Sequence, residues 1–587
     1  MEWLVSMQPR SWPEPDPVIA AAIRSMYRGK RQPPLPVRVR DELGELFADA
    51  EFAAAFGSEG RPGWSPGRLA LITVLQRVDN LTDRQAADTV RADLSWKYAL
   101  GLALDDPGFD ASVLSEFRTR VIAHGLEERA LDLLLARLVE KGLIGAGGKQ
   151  RTDSTHVISA VRDLNRLELA GECVRAALEA ISAADPGWTS RVLELPGWAG
   201  RYRARVDSWR LPASETKRAE LARAYGADGY ALVEAVYAPF SPAWLRDLPA
   251  VQALRVMLIQ NYVRVTDRKG REVVCRRRPL EDGGEGLPPG RSRLTSPYDV
   301  DARWAAKGDD LFWNGYKLHI SETCNTTTGT TGTTGTTGTN IVPPNLITNV
   351  ATTDATVPDN QMTDKIHQML AARELLPDEH YLDSGYPSAE LLVSARKRFG
   401  IALITPVLLD YSSQARAAAG YDRAAFTIDW DAEQARCPQG QASSSWSRCT
   451  QRDTEAIVVK FSGEVCRPCP VRSLCTSARR GGRQLTIRAR PLQEALDQAR
   501  VDQASKDWRD KYKLRAGVEG TMRQAVAVTG VRRARYRGLA KVHLEHVFSA
   551  VALNLIRLDA WWNGHPLDRT RTGHLARLEL AELALAA

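Results

Sequence analysis

The sequence has few of the features that mark secreted or membrane-spanning proteins. Only 8 of its 587 residues are cysteines, and 5 of these fall between residues 437 and 475, which excludes a disulfide scaffold spread along the chain. No run of about 18 uncharged apolar residues predicts a membrane-spanning helix. The first residues lack a basic start followed by an apolar stretch, which argues against a secretion signal. We therefore expect a cytoplasmic protein without a membrane partner.

Charge, by contrast, is plentiful and unevenly placed. The net charge is +8, but residues 466–541 hold 19 Lys and Arg against 6 Asp and Glu, a net of +13, which leaves −5 for the rest of the chain. Positive charge concentrated in this way is typical of a protein that binds a polyanion such as nucleic acid. On charge alone, a solvated arginine-rich face is an equally good interpretation.

The N-terminal quarter, residues 1–145, is predicted to be helical. Ser65-Pro66 is a helix start, with a capping hydroxyl before a proline at the first helical position. Thr82 and Gln85 have the spacing of a capping box, and Asp110 is placed to cap a helix that begins at Ser112. Short helices with tight turns fit either a helix-turn-helix DNA-binding module or a plain helical bundle.

The remainder predicts an α/β fold with two inserts. Two strands joined by the helix 388–398 indicate a parallel pair. Strands are expected around Asp153 and at 315–320, 345–352, 379–383 and 400–407. We expect a helical insert at 160–310 with polar loops from 265, a cysteine-bearing β insert at 426–490, helices from 491, and a C-terminal tail at 566–587. The Thr/Gly repeat at 326–339 is low-complexity sequence and is predicted to be a hairpin loop.

Three acidic residues are candidates for a metal site. Asp153 and Asp383 lie at or just after predicted strands, and Glu519 lies in a helical pattern. Carboxylates that converge in this way can hold two Mg²⁺ ions about 3.5–4 Å apart for phosphodiester chemistry, because hard cations prefer oxygen ligands. Each acid also has a structural interpretation: the two aspartates can cap turns, and Glu519 can form helix salt bridges with Arg515 or Arg523.

The motif Tyr512, Arg515, Glu519 matches the Y-x2-R-x3-E signature of bacterial insertion-sequence transposases of the DDE type. Arg151-Thr-Asp-Ser-Thr-His156 and Asp383-Ser-Gly-Tyr386 resemble their first and second acid motifs. Further stretches resemble one subgroup of these transposases in the same order along the chain. These are residues 60–66, 80–102, 296–303, 313–324 and 532–558.

The resemblance implies a fold, a site and an activity. The expected fold is an RNase H-like mixed sheet with helices, spanning 146–565. Asp153, Asp383 and Glu519 would bind two Mg²⁺ or Mn²⁺ ions, and Tyr512 and Arg515 would contact DNA phosphates. The implied activity is cleavage at the terminal inverted repeats of an element and strand transfer into target DNA. A nucleoid-associated homodimer would act on the DNA, with residues 1–145 as a DNA-binding domain.

One position departs from the family pattern. The family often has a lysine seven positions after the glutamate, where this chain has Val526. Arg523, or Arg532, Arg533 and Arg535 in the basic loop that follows, are candidates to supply that charge. Two other functions stay open: a catalytically inactive or domesticated DNA-binding protein, and a nuclease of the same fold that cuts without joining.

The cysteine cluster predicts a structural zinc site. Cys466 and Cys469 form a C-x2-C pair, and Cys475 and Cys437 complete a set of four thiolates, with Cys449 as a rival for the last place. The related transposases have a similar cluster here. Reduced cysteines in a small β insert are the alternative.

A second metal-like spacing is interpreted differently. His543 and His546 have the H-x2-H spacing, but they lie on a predicted amphipathic helix. We expect them to have a surface or packing role.

Overall fold

The computed structural model describes residues 5–29, 32–57, 59–267, 269–324, 342–451 and 454–565. The Thr/Gly repeat at 326–339 and the tail at 566–587 lie outside the described residues. The N-terminal elements are β1 (Val5–Ser6), α1 (Pro17–Met26), α2 (Leu35–Leu43), β2 (Arg61–Pro62), α3 (Pro66–Val78), α4 (Asp83–Ala92), α5 (Leu94–Leu100), α6 (Ser112–Ala123) and α7 (Arg129–Glu140).

The predicted helix starts in this region are confirmed. The Ser65 hydroxyl accepts a hydrogen bond from the Arg68 amide at the start of α3. At the start of α4, both hydrogen bonds of the Thr82–Gln85 capping box are present. Asp110 accepts a hydrogen bond from the Ser112 amide. These starts were predictable because each depends on side chains only two or three residues away.

A helical segment follows the first long strand, β3 (Lys149–Ile158). It comprises α8 (Arg166–Ala184), α9 (Pro186–Val192), α10 (Leu195–Tyr202), α11 (Glu215–Tyr237), α12 (Pro249–Asn261) and the hairpin β4 (Tyr262–Thr266) and β5 (Glu272–Arg276). This segment has its own hydrophobic core, which includes Val174, Leu254 and Tyr262. The prediction of loops from residue 265 is partly wrong, because the β4–β5 hairpin extends to Arg276. Arg264 and Glu272 pair across that hairpin, and their charges hide the strand pattern.

The central sheet is mixed. Its further strands and associated helices are β6 (Arg303–Lys307), β7 (Leu311–Thr323), β8 (Ile347–Asp354), α13 (Asn360–Ala372), β9 (Glu379–Leu382), α14 (Ala389–Ser394) and β10 (Ala402–Ile404). The strand order is β10-β9-β3-β7-β6, and β8 also pairs with β7. The predicted parallel pair β9–β10 is confirmed, β9 is also parallel to β3, and the other pairs are antiparallel.

The cysteine-bearing segment forms small antiparallel sheets, in agreement with the strands predicted there. We refer to residues 426–490 as the cysteine insert. Its elements are α15 (Ser413–Ala417), β11 (Thr427–Asp429), β12 (Gln434–Arg436), β13 (Ser445–Gln451), β14 (Thr454–Lys460), α16 (Gly463–Cys466), α17 (Arg472–Cys475) and β15 (Gln484–Ile487). β11 pairs with β12, and β14 lies between β13 and β15.

The chain then returns to helices, α18 (Arg490–Ala504), α19 (Lys506–Tyr512), α20 (Gly517–Thr529) and α21 (Leu539–Trp562). By length and composition α21 could cross a membrane, but 72% of its most apolar window is buried inside the protein. It packs against β8 and against α3 and α7. α21 is therefore the central helix of the core.

The N-terminal helices and the sheet share this core. Leu71 of α3, Leu318 of β7 and Val551 of α21 belong to one cluster of buried side chains. A fully buried ion pair, Arg77–Glu545 at 2.9 Å, also joins α3 to α21. The boundary predicted at residue 145 thus separates sequence segments that pack as one body.

Candidate active site

Two of the three candidate acids lie side by side on neighbouring inner strands of the sheet, where β9 ends. β3 and β9 are parallel neighbours, with Thr152 opposite Leu382. Asp153 and Asp383 are the next residues along the two strands, so the register brings them together. Glu519 is in the first turn of α20, which packs against β3.

Arg515 contacts all three acids. Its Nη2 lies 2.6 Å from Asp153 Oδ2 and 3.8 Å from Asp383 Oδ2, and its Nη1 lies 3.0 Å from Glu519 Oε1. The side chains of Arg515 and Asp153 are 15% exposed, whereas those of Asp383 and Glu519 are 40% and 55% exposed. The sequence predicted the Arg515–Glu519 pair, one helical turn apart, but not the contacts across the fold. The result is a half-open cluster of three carboxylates around one guanidinium.

Backbone amides orient the two aspartates. The Ser154 amide donates to Asp153 Oδ1 at 2.7 Å, and the Ser384 amide donates to Asp383 Oδ1 at 2.6 Å. Each carboxylate therefore uses one oxygen to bind the amide of the next residue. The other oxygen of each is the one that faces Arg515.

The cluster shifts the pKa values of its members. Burial raises the pKa of Asp153, and Asp383 adds to this, while Arg515 opposes it. Burial lowers the pKa of Arg515, but the neighbouring acids outweigh burial and raise it. Burial, together with these acids, raises the pKa of Tyr512 to about 12. Arg515 and the Tyr512 hydroxyl therefore keep their protons at neutral pH.

The donor set matches the chemistry of a hard divalent cation. Asp153, Asp383 and Glu519 offer carboxylate oxygens, the ligands that Mg²⁺ and Mn²⁺ prefer. Their combined charge requires a cation, and in this structure Arg515 supplies it. Among the residues the structure describes, no group of three or more His, Cys, Asp or Glu side chains is arranged to hold a metal ion. The acids fit a metal by residue type, while their present arrangement is built around the guanidinium.

Comparison with protein families supplies the decisive observation. Residues 436–559 match the family model described as "Transposase DDE domain", and residues 22–120 match the one described as "Transposase domain (DUF772)". By these matches the chain belongs to the insertion-sequence DDE transposases. Searches of curated proteins and of solved structures gave no significant match. The segment 436–559 contains Glu519, whereas Asp153 and Asp383 lie outside both segments and meet Glu519 through the contacts with Arg515.

The remaining basic residues of the transposase divide into two groups. Arg523 is exposed one helical turn after Glu519, and Arg533 is exposed in the basic loop. Arg532 Nη2 lies 3.3 Å from Thr155 Oγ1, two residues beyond Asp153. Arg523 and Arg532 are therefore close to Glu519 and to the strand of Asp153, whereas Arg533 pairs through its backbone with Ile158 at the end of β3.

Arg535 and Val526 have other surroundings. The Arg535 guanidinium donates to the Leu81 carbonyl at 2.6 Å and to Asn80, so it ties the basic loop to the N-terminal helices. Val526 packs against the main core. A lysine at position 526 would therefore point its stem into apolar surroundings, and the missing positive charge has to come from elsewhere.

Two side chains near the acids, one buried and one half-buried, were missed by sequence reasoning. Tyr386, the last residue of the Asp-Ser-Gly-Tyr motif, is fully buried and its hydroxyl lies 2.8 Å from His319 Nδ1. Asp359 accepts hydrogen bonds from Ser154 and from Lys317, at 3.2 and 3.1 Å. The tyrosine of the Asp-Ser-Gly-Tyr motif could have indicated that a buried side chain holds the loop after Asp383. No neighbouring residue in the sequence indicated a role for Asp359.

The four predicted zinc ligands of the transposase lie near one another. Cys437, Cys466 and Cys475 pack around the small core of the cysteine insert. Burial raises the pKa of the Cys475 thiol, and the nearby Cys466, Cys437 and Cys469 raise it further. All the cysteines are free thiols.

The histidine pair makes packing contacts, one of the two roles expected for it. Thr352 Oγ1 lies 3.1 Å from His543 Nδ1 and 2.7 Å from His546 Nδ1. His543 also contacts Glu128, and His546 is buried.

Proposed function

We propose that the transposase cleaves DNA at the terminal inverted repeats of its element and joins the freed ends to target DNA, within an RNase H-like domain. The observation that supports this is the meeting of Asp153, Asp383 and Glu519, from β3, the end of β9 and α20, around Arg515. These carboxylates would hold Mg²⁺ or Mn²⁺. Two such ions, when bound, supply Lewis-acid stabilisation to the attacking and leaving oxygens of a phosphodiester.

The residues of the chain prepare the site for this reaction. The Ser154 and Ser384 amides hold the aspartates so that one oxygen of each stays directed into the cluster. Without DNA and metal, Arg515 neutralises the negative charge of the three acids. We propose that a bound metal takes over this role and that the Arg515 guanidinium then contacts a DNA phosphate. The protonated Tyr512 hydroxyl is a donor for a phosphate oxygen, and its ring is held by stacking on Trp508 at a centroid distance of 4.9 Å.

DNA binding is assigned to the basic surface beside the acids. Arg523, Arg532 and Arg533 supply positive charge there, and Arg535 is given a structural role instead. The N-terminal helices, 1–145, would recognise the inverted repeats, and two protomers would act together on paired ends. Because phosphate contacts dominate such binding, affinity should fall steeply with salt. We place the protein in the cytoplasm, on nucleoid DNA.

A structural zinc ion is proposed for the cysteine insert. Cys437, Cys466 and Cys475 pack against one small core, Cys469 lies near Cys475, and four thiolates suit a closed tetrahedral zinc site. The zinc would stabilise the insert between Asp383 and Glu519 and would take no part in the reaction.

The test is Mg²⁺-dependent cleavage of a duplex that carries an element end. Asp383→Asn should reduce cleavage by ~10³-fold or more, since a lost metal ligand costs several kcal/mol of transition-state stabilisation. DNA binding should persist. The matched control is Asp364→Asn, at a half-buried aspartate on α13 that pairs with Arg398. Equal cleavage by Asp383→Asn would remove this residue from the site.

The same substrate separates the other two functions. A wild-type protein that binds the element end without cutting it is the inactive DNA-binding protein. Cutting without joining the freed end to a second duplex identifies the nuclease.

A further inference from the structure

A buried ionic cluster lies directly behind the acids and has no part in the proposed reaction. At its centre is Glu322 of β7, whose side chain is fully buried. One carboxylate oxygen lies 2.7 Å from Arg151, and the other lies 2.7 Å from Arg557 and 2.6 Å from the Thr521 hydroxyl. Burial alone would raise the pKa of Glu322, but Arg557 and Arg151 outweigh it, so the carboxylate is ionised. We refer to Glu322, Arg151, Thr521 and Arg557 as the Glu322 cluster.

The Glu322 cluster joins the elements that carry the acids. Arg151 lies two residues before Asp153 on β3, and Thr521 lies two residues after Glu519 on α20. Arg151 Nη1 also donates to the Leu514 carbonyl at 2.7 Å, in the turn that leads into Arg515. Arg557 donates to Thr521 Oγ1 at 2.6 Å, which fixes α20 from the other side. The buried Glu322 carboxylate thus connects β3, which carries Asp153, to α20, which carries Glu519.

The start of α20 is shaped to fit Arg151. A Cβ atom added at Gly517 would lie 2.0 Å from Arg151 Nη1 and 2.4 Å from its Cζ. A side chain at position 517 would therefore have to displace the Arg151 guanidinium from its hydrogen bonds to Glu322 and to the Leu514 carbonyl. Gly520, on the same helix, has nothing within 4 Å of the equivalent position. The start of α20 thus lies directly against the Arg151 guanidinium of β3.

We propose that the Glu322 cluster is a positioning device that sets the distance between Glu519 and Asp153, and thereby the affinity of the acids for a divalent cation. Stability alone is a poor explanation for such a cluster, because buried ion pairs can often be replaced by apolar side chains without loss of stability. Orientation of ligands by residues behind them is a known determinant of metal affinity. The inference rests on the proposed function, since it assumes that the three acids bind the metal.

The first test compares two glycine substitutions on one helix. Binding of Mn²⁺ to the full-length protein without DNA is measured by electron paramagnetic resonance titration. Gly517→Ala displaces the Arg151 guanidinium and should weaken Mn²⁺ binding about tenfold, the lower end of the loss when partners behind metal ligands are changed. Gly520→Ala should bind Mn²⁺ as the wild type does. Equal affinity of the two variants would overturn the proposal.

A second pair of variants changes no backbone contact. Thr521→Val removes the hydroxyl shared by Glu322 and Arg557, and Thr521→Ser keeps it. We expect weaker Mn²⁺ binding for valine and recovery for serine, with little difference in melting temperature between them. If Gly517→Ala fails to fold, this pair decides, and equal Mn²⁺ affinity of valine and serine would refute the positioning role.

The Mn²⁺ titration also distinguishes a failure of the positioning role from a failure of the proposed metal-dependent function. A wild-type protein that binds no Mn²⁺, or whose binding is unaffected by Asp383→Asn, contradicts the proposed metal site itself. Wild-type binding that depends on Asp383 but is unchanged by Gly517→Ala and Thr521→Val contradicts the positioning role alone.

Discussion

The acid site and the cysteine insert were both predicted to bind metals, and the structure organises them differently. The three acids come from distant positions in the sequence and surround the guanidinium of Arg515. The four cysteines come from residues 437–475, and three of them pack with aromatic side chains such as Phe426 and Phe461 in a small core. One cluster contains a cation from the chain itself, and the other is part of an apolar core.

The protonation of the two kinds of side chain explains this difference. Carboxylates are ionised at neutral pH and repel one another, so their assembly requires a positive charge. Thiols can stay protonated, and a free cysteine then behaves as a small hydrophobic residue. The cysteine insert can therefore hold its thiols together without a metal, whereas on the proposed function a metal at the acid site would have to replace the positive charge of Arg515.

The largest effect is expected from zinc removal in the cysteine insert. Structural zinc contributes roughly 10–16 kcal/mol in small zinc domains, so its loss should unfold the insert. Metal analysis of the purified protein should find one equivalent of zinc, and the double variant Cys466→Ser, Cys469→Ser should lose it. Cys449→Ser is the control and should retain zinc, because the residue lies on β13 outside the proposed set. Less than one equivalent in the wild type would leave the cysteines as core residues only.

The next largest effect concerns the internal cation of the acid site. Arg515→Gln should tighten Mn²⁺ binding, because a competing positive charge is removed from three carboxylates. DNA cleavage should nevertheless fall about 10²-fold, the cost of losing one donor aimed at reacting negative charge. Metal titration and single-turnover cleavage measure the two effects separately. The control is Arg509→Gln, at an exposed arginine on α19 that donates to the Ser505 carbonyl. Weaker Mn²⁺ binding by Arg515→Gln would mean that the guanidinium supports the metal site and does not compete with it.

The same two regions indicate what could be predicted from the sequence. Helix starts, the parallel β9–β10 pair and the cysteine-bearing strands follow from neighbouring residues, and they were predicted. The convergence of Asp153 and Asp383 depends on the register of β3 against β9, which no local pattern fixes. The resemblance to the family motifs identified both aspartates even though the register of β3 against β9 was unknown.

Contacts between distant charged residues were beyond the reach of the sequence. Glu322 lies in a strand where a charged residue would ordinarily face solvent, and only the fold places Arg151 and Arg557 around it. Arg535 was assigned to DNA for its place in a basic loop, but its guanidinium binds the turn at Asn80 and Leu81. Charge can be counted in a sequence, whereas the partner of each charge depends on tertiary packing.

The smallest effect is expected for two aspartates, one in the acid site and one beside the cysteine insert. The pKa of Asp153 is raised, chiefly by burial, so the native state holds its proton more firmly than the unfolded chain. Between the two pKa values the native state binds more protons, and stability therefore falls as pH rises through that window. Above it, ionised Asp153 costs stability. Asp153→Asn should raise the melting temperature at pH 7, and the gain should shrink as pH falls through the raised pKa.

Asp497 of α18, which pairs with Arg423 beside the cysteine insert, should respond in the opposite way. Burial would raise its pKa, but hydrogen bonds from Arg423 and Gln493 outweigh burial and lower it. Its stabilising contribution is complete above the ordinary pKa of an aspartate and is lost as pH falls through the lowered value. Asp497→Asn should therefore reduce the melting temperature at pH 7. Melting curves of both variants from pH 7 down to pH 4 give the comparison. A lower melting temperature for both variants at pH 7 would show that Asp153 is stabilised by Arg515 as an ordinary ion pair.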